Sequence, residues 1–348
     1  MRIRLYTYGG AAMLLLGASA LVSLSIGSAG FPLAKVWGIL VHQLPFMDQS
    51  AVEWTKLEEA VIVQVRLSRV LLAMLVGACL ALAGAGFQGV LRNPLADPYT
   101  LGVASGSSIG AAFLILFGLQ HVIGLWSVPI VAFSTGLLTM FAVFWLARSQ
   151  GAMGIETLIL SGVVVQAFLS AFVSYMVSLS QGVVNEVLFW LMGSLSKRNW
   201  GHVQLLLPFV IVGVPILVAY ARHLNLLVMG ERHAAHLGMR VERTKVTVLV
   251  VSTLLTAAAV SVSGVVGFVG LVVPHIIRLL VGPDYRLIVP LSAVGGAIYV
   301  LWADTLARTI TSPKEIQLGI VTAFIGAPFF AYLLKRRKTG MREETGHD

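Results

Sequence analysis

Eight long stretches of this chain contain no Asp, Glu, Lys or Arg, and their lengths constrain the fold more than any other feature. They cover residues 5–34, 70–91, 98–147, 157–185, 199–221, 246–277, 287–303 and 316–334. A bilayer crossing takes about 20 apolar residues in a helix, and a backbone in hydrocarbon must satisfy its own hydrogen bonds. The stretch 98–147 therefore predicts two crossings, broken near 118–127. The stretch 246–277 is rich in glycine in its second part and predicts one full crossing followed by a short one, with Pro274 opening a short helix to Leu280. The total is nine full crossings and one short one, an all-α polytopic membrane protein with residues 1–348 as a single transmembrane domain.

Composition agrees. With 57% hydrophobic and 11% charged residues and a mean hydropathy of +0.90, the chain is too apolar for a soluble globular protein. Met1-Arg2-Ile3-Arg4 ahead of an apolar run resembles a signal peptide, and Ser28-Ala29-Gly30 would suit cleavage. The length of the run favours an uncleaved first crossing. A net charge of +9 raises nucleic acid as a partner, but the cations stand in small groups beside apolar runs, with no basic patch interleaved with aromatics. With the N-terminus inside, 16 of the 24 Lys and Arg fall on the cytoplasmic side, the bias that orients membrane helices. Both termini are then cytoplasmic, and Glu53, Glu58 and Glu59 lie in an outer segment between the first two crossings. The single Cys79 excludes an internal disulfide. No GxxxxGK[ST], HExxH, CxxC or serine elbow occurs, so no catalytic residue, cofactor site or metal site is assigned.

The main polar interruption in the second half spans 222–245. Within it Gly230, Glu231, Arg232, His233, Ala234, Ala235, His236, Leu237 and Gly238 read as a short helix ended by glycine, a compact charged hairpin on which a soluble partner can push. On the outer side, Arg66 and Arg69 stand three apart on one helix face and suit the carboxylates of an external partner. Asp304 and Arg308 stand one turn apart: either they pair locally, or Arg308 turns outward to join Arg66 and Arg69. Asn93 and Asp97, each before a proline, suit helix caps. Gly86-Phe87-Gln88-Gly89-Val90 is echoed by Gly267-Phe268-Val269-Gly270-Leu271, and the crossing count gives the two halves opposite directions, as in inverted-repeat transporters. His233 and His236 lie among arginines, and His275 has no second histidine at ligand spacing.

The segments Arg66–Arg69, GAGFQGVLRNPLADPYTLGVASG, FWLMGS, GERHAAHLG, GFVGLVVPHIIRL, ADTLAR and QLGI followed by GAP resemble the FecCD-type permeases, the membrane subunits of type II ABC importers for iron-siderophores, heme and vitamin B12. The motifs follow the family's order from residue 60 to 335, with Ser68 where the family often has proline. The resemblance implies a BtuC-like fold of ten transmembrane helices in the bacterial cytoplasmic membrane. It implies a homodimer with the solute path on its axis, lined by the fifth and tenth crossings. Two ATP-binding-cassette ATPase subunits would dock on residues 230–238, and a substrate-binding protein would meet Arg66, Arg69 and Arg308. The rival reading is an ion-coupled secondary transporter acting alone. That reading requires ionisable residues at mid-membrane depth, and only Asp304, near the end of a crossing, comes close.

Overall fold

The computed structural model describes residues 2–345 apart from 28–29, 44–53, 125, 150–151 and 180–181. The possible cleavage site at Ser28-Ala29 and the outer Glu53 thus lie outside the described residues. The first half comprises α1 (Arg2–Ser25), α2 (Leu33–His42), α3 (Lys56–Ala60), a π-helical turn (Val61–Leu67), α4 (Ser68–Leu91), a 3-10 turn (Pro98–Leu101), α5 (Val103–Leu116), α6 (Leu119–Ile123) and α7 (Ser127–Ala147). A two-residue ladder, β1 (Arg148–Ser149) with β2 (Ala152–Met153), leads into α8 (Ile155–Leu179). Then follow α9 (Val184–Leu191), α10 (Trp200–Val228), α11 (Glu231–His236), α12 (Val241–Ser263), α13 (Val269–Val281), α14 (Tyr285–Thr309) and α15 (Leu318–Thr345).

Seven of these helical segments are long and apolar enough to cross a membrane, and α5, α13 and the apolar part of α15 are shorter. Together they supply the ten crossings. The long third stretch, 98–147, breaks where expected: Gly118 and Gly124 have positive φ on either side of α6. The first stretch ends earlier than its charges suggest, because α1 stops at Ser25 and α2 starts a separate helix.

The hub is α4, which is buried along almost its whole length. Between helices surrounded by lipid chains, association comes from close packing more than from the hydrophobic effect. A Cβ on Gly77 would strike the carbonyl of Gly296 in α14, and one on Gly84 would strike the carbonyl of Gly270 in α13. Glycine at these two crossings is a steric requirement. Four buried hydroxyls in α12, those of Thr253, Thr256, Ser261 and Ser263, bond carbonyls of their own helix, as in Thr253 to Leu249 and Ser263 to Ala259, both 2.8 Å, which lets polar residues sit in an apolar core.

Helices α4, α5, α7 and α8 are 24, 14, 21 and 25 residues long, and α12 to α15 are 23, 13, 25 and 28. In each half the second helix is short and starts after a residue of positive φ, Gly102 at 76° and Phe268 at 69°. Gly162 of α8 sits on the carbonyl of Thr100 ahead of α5, and Gly326 of α15 sits on the Phe268 ring ahead of α13. The two halves thus share a pattern of helix lengths and of positive-φ residues, and its register is not that of the five-residue echo. Residues 86–90 lie inside α4, whereas 267–271 straddle the start of α13. The counterpart of Phe268 is Gly102.

The echo segments nevertheless meet. Helix α13 begins at Val269, not at Pro274, so the proline sits in its interior. Proline has no N–H for the carbonyl four residues back. That carbonyl belongs to Gly270, and Gln88 Nε2 of α4 donates to it at 3.1 Å.

Candidate functional site

The inner hairpin is built as its sequence suggests. Helix α11 ends in a Schellman motif: Gly238, at φ 82°, donates its N–H to Ala235, and the Met239 N–H reaches back to Ala234. These two bonds satisfy carbonyls that the short helix would leave open. Ala234 is fully buried, and Glu231 is half-buried. Lys245 of α12, itself buried, places its ammonium 3.3 Å from Glu231 and 3.1 Å from Glu242. The hairpin is thereby fastened to the first turn of α12 rather than hanging free. Its other face presents Arg232, His233, Ala235, His236, Leu237 and Gly238 to solvent. Leu237 and Met229 are each 66% exposed, an apolar pair on a charged knob, which suits a protein partner better than water.

Beneath the hairpin lies a polar network that periodicity and motif reading missed. Asn225, near the end of α10, donates to Asp284 at 2.7 Å and accepts the Tyr285 N–H at 2.8 Å. Arg278 of α13 donates to the Tyr285 hydroxyl at 2.8 Å and to Gln88 at 3.3 Å. The shaft leading into the hairpin is thus tied through α14 and α13 to the helix break beside Gly270. The Arg286 side chain, with Asn225 and the Arg286 backbone N–H, holds the Asp284 carboxyl down at about 2 against the opposing effect of burial. The only sequence signal for this set is that polar side chains bound or interrupt apolar runs.

The outer arginines face inward. Arg66 lies in the π-helical turn, donates to the carbonyls of Leu24 at 2.8 Å and Ser25 at 3.4 Å, and stacks over Phe31. Arg308 donates to the carbonyl and hydroxyl of Ser23. Two guanidinium groups therefore cap the C-terminal carbonyls of α1, where cations are favoured. Arg69 grips Asp304 with two nitrogens, Nε and Nη2, both 2.9 Å from a carboxylate oxygen, and holds Glu315 at 2.8 Å. Asp304 is therefore paired with Arg69 across 235 residues, and neither reading of an Asp304–Arg308 pair or of an outward Arg308 describes it. Asp97 caps the 3-10 turn as expected, accepting the Tyr99 N–H at 2.9 Å, whereas Asn93 accepts the Leu95 N–H at 2.9 Å in a turn that opens no helix.

Helices α8 and α15 differ from the hub. On α8 only Leu158, Ser161, Gly162, Val173 and Met176 are buried. Its remaining surface exposes Leu160, Val164, Phe168 and Tyr175, and α15 exposes Phe324 and Tyr332. His275 packs against Phe329 and Phe330 of α15, with ring centroids 6.4 and 5.9 Å apart. Helices α4, α12 and α14 form a mostly buried frame, and α1, α7, α8 and α10 around it are mostly exposed and apolar, the layout of a helical membrane domain with one braced hairpin.

Comparison with known proteins agrees. The model of the FecCD transport family matches residues 14–336. The chain belongs to that family. It is 44% identical over 329 residues to the uncharacterized ABC transporter permease protein YvrB of Bacillus subtilis, covering 94% of this chain and 93% of the relative. It is 46% identical over 281 residues to the cobalamin import system permease protein BtuC of Halobacterium salinarum, covering 80% and 74%. A solved inward-facing structure of a metal-chelate type ABC transporter superposes with a TM-score of 0.81 at 34% identity, covering 94% of this chain and 98% of that one. This FecCD chain is a multi-pass permease component of an ABC importer.

Proposed function

We propose that this permease carries an iron chelate or cobalamin across the bacterial cytoplasmic membrane as a homodimer, driven by two separate ATP-binding-cassette ATPase subunits. The observation that supports this most directly is the hairpin at 230–238, exposed on one face and held to α12 by buried Lys245 on the other. A surface that must transmit force has to be rigid behind and open in front. On nucleotide binding the ATPases close, the paired hairpins follow, and α10 and α12, which end there, tilt to rearrange the central path. Both termini are cytoplasmic in this reading, which puts the hairpin on the same side as the ATPases. Replacing residues 230–238 with a flexible Gly-Ser linker is expected to abolish co-purification of the ATPase. Undiminished association would remove the hairpin as the docking point.

The exposed faces of α8 and of the apolar part of α15, Leu318–Leu333, carry almost no charge, so the path would hold a bulky chelate weakly and leave affinity to an external substrate-binding protein. That protein is assigned to the outer side at Arg69, since Arg66 and Arg308 are turned onto the end of α1. Arg69 is the one whose partners include a surface carboxylate, Glu315, which an incoming glutamate could replace. A binding screen of the cognate external protein against ferric siderophores, hemin, corrinoids and molybdate should return one of the chelates. Capture of the oxyanion alone would overturn the substrate class while leaving the importer reading intact.

A further inference from the structure

Helix α2 is apolar, ten residues long and not one of the ten crossings. Its inner side is fixed: Val36 and Ile39 are fully buried and join Leu24, Ile62, Val70 and Leu301 in one cluster. Leu24 closes α1, Ile62 lies in the turn before α4, and Val70 opens α4. Helix α2 is thereby seated at the outer ends of the first two crossings, the level of the membrane boundary. Trp54 holds it there, with its ring against Gly38 and edge-on to His42 at 5.7 Å.

The opposite side carries Leu33 and Trp37, exposed to 52% and 57%. Four residues apart, they share one helical face. Lys35 is the only Asp, Glu, Lys or Arg on the helix, and its ammonium bonds Glu58 at 2.8 Å. The outward face thus offers apolar surface and an indole without a charge to meet a soluble protein's polar rim. Indole rings at the ends of membrane helices partition into the headgroup layer, where their apolar body and polar N–H are both accommodated.

We propose that α2 is an interfacial helix, lying in the outer boundary of the bilayer with Leu33 and Trp37 inserted among lipid headgroups and the upper acyl chains. It would anchor the outer end of α1 against the membrane surface. The inference does not depend on which solute is carried or on which partner docks.

The test uses full-length permease carrying Cys79→Ala, reconstituted in phosphatidylcholine nanodiscs. An environment-sensitive fluorophore is placed at Trp37→Cys and, in separate samples, at Leu33→Cys on the same face and at Lys314→Cys in the exposed outer turn. The two α2 positions should give blue-shifted emission, quenching by lipid spin-labelled near the headgroup, and several-fold weaker iodide quenching than position 314. Iodide quenching equal to that at 314 overturns the proposal, as does resistance to both quenchers, which would mark a face covered by protein. Loss of lipid quenching when the substrate-binding protein is added would also overturn it, by assigning the face to that partner. Leu33→Cys leaves the indole in place, so failure of the Trp37 variant to assemble does not remove the readout.

Discussion

The inner hairpin and the outer arginine cluster are both short, charged and attached to the ends of crossings, yet they are held in opposite ways. At the hairpin a single buried cation, Lys245, draws two carboxylates inward and leaves Arg232, His233 and His236 outside. On the outer side the cations themselves go in: Arg66 and Arg308 spend their donors on the end of α1, and Arg69 is spent on Asp304 and Glu315. Charge in sequence marks a surface only when the fold offers it nothing better. An arginine beside a helix C-terminus has bare carbonyls to satisfy, whereas one on a six-residue helix already closed by its own Schellman bonds has none.

The largest effect expected from this contrast is on stability at the outer cluster. Asp304 has only 2% of its side chain exposed, so Arg69→Leu strands a buried charge at a cost of about 3–5 kcal/mol. Adding Asp304→Leu should recover much of that loss in detergent thermal melts. If Arg69 also contacts the substrate-binding protein, the double variant will be stable yet capture that protein more weakly at low salt. Full capture would confine Arg69 to holding the fold together.

A smaller effect is expected at the hairpin. Glu231 and Glu242 are more than a third exposed or close to it, and such screened pairs contribute about 1 kcal/mol or less. Lys245→Met should therefore leave the melting temperature nearly unchanged and the ATPase still bound, while solute imported per ATP hydrolysed falls. Unchanged stoichiometry would show that the brace behind the hairpin carries no force.

The smallest effect is tied to pH at the network under the hairpin. Asp284 has its carboxyl lowered to about 2, first by Arg286, against about 3.9 in an unfolded chain. A depressed acid contributes stability above the unfolded value and loses it as the pH falls through the folded one. Asp284→Asn should thus melt slightly below the parent at pH 7, with the gap narrowing between about pH 4 and 2. A gap that stays constant over that window would remove ionisation of Asp284 as its cause.

Much of this was legible in the chain. The charge-free runs gave ten crossings because a bilayer leaves a backbone few options, and the glycine after His236-Leu237 located the end of the hairpin. The start of α13 was misread at Pro274 because the donor that lets a proline sit inside that helix, Gln88, belongs to another helix. The five-residue echo pointed to two matching halves in the wrong register, since the match lies in backbone conformation at Gly102 and Phe268, two residues with no likeness as side chains.

By itself the sequence determined that this protein spans a membrane with helices and where the compact charged loop at 230–238 lies. All of that follows from solvation and local backbone geometry. Only the tertiary structure decided the partners of the charged residues, because Arg69 finds Asp304 across 235 positions and Arg308 finds Ser23 across 285. Over such separations no spacing rule operates, and the outcome is set by which helix ends the packing of α1, α4 and α14 brings side by side.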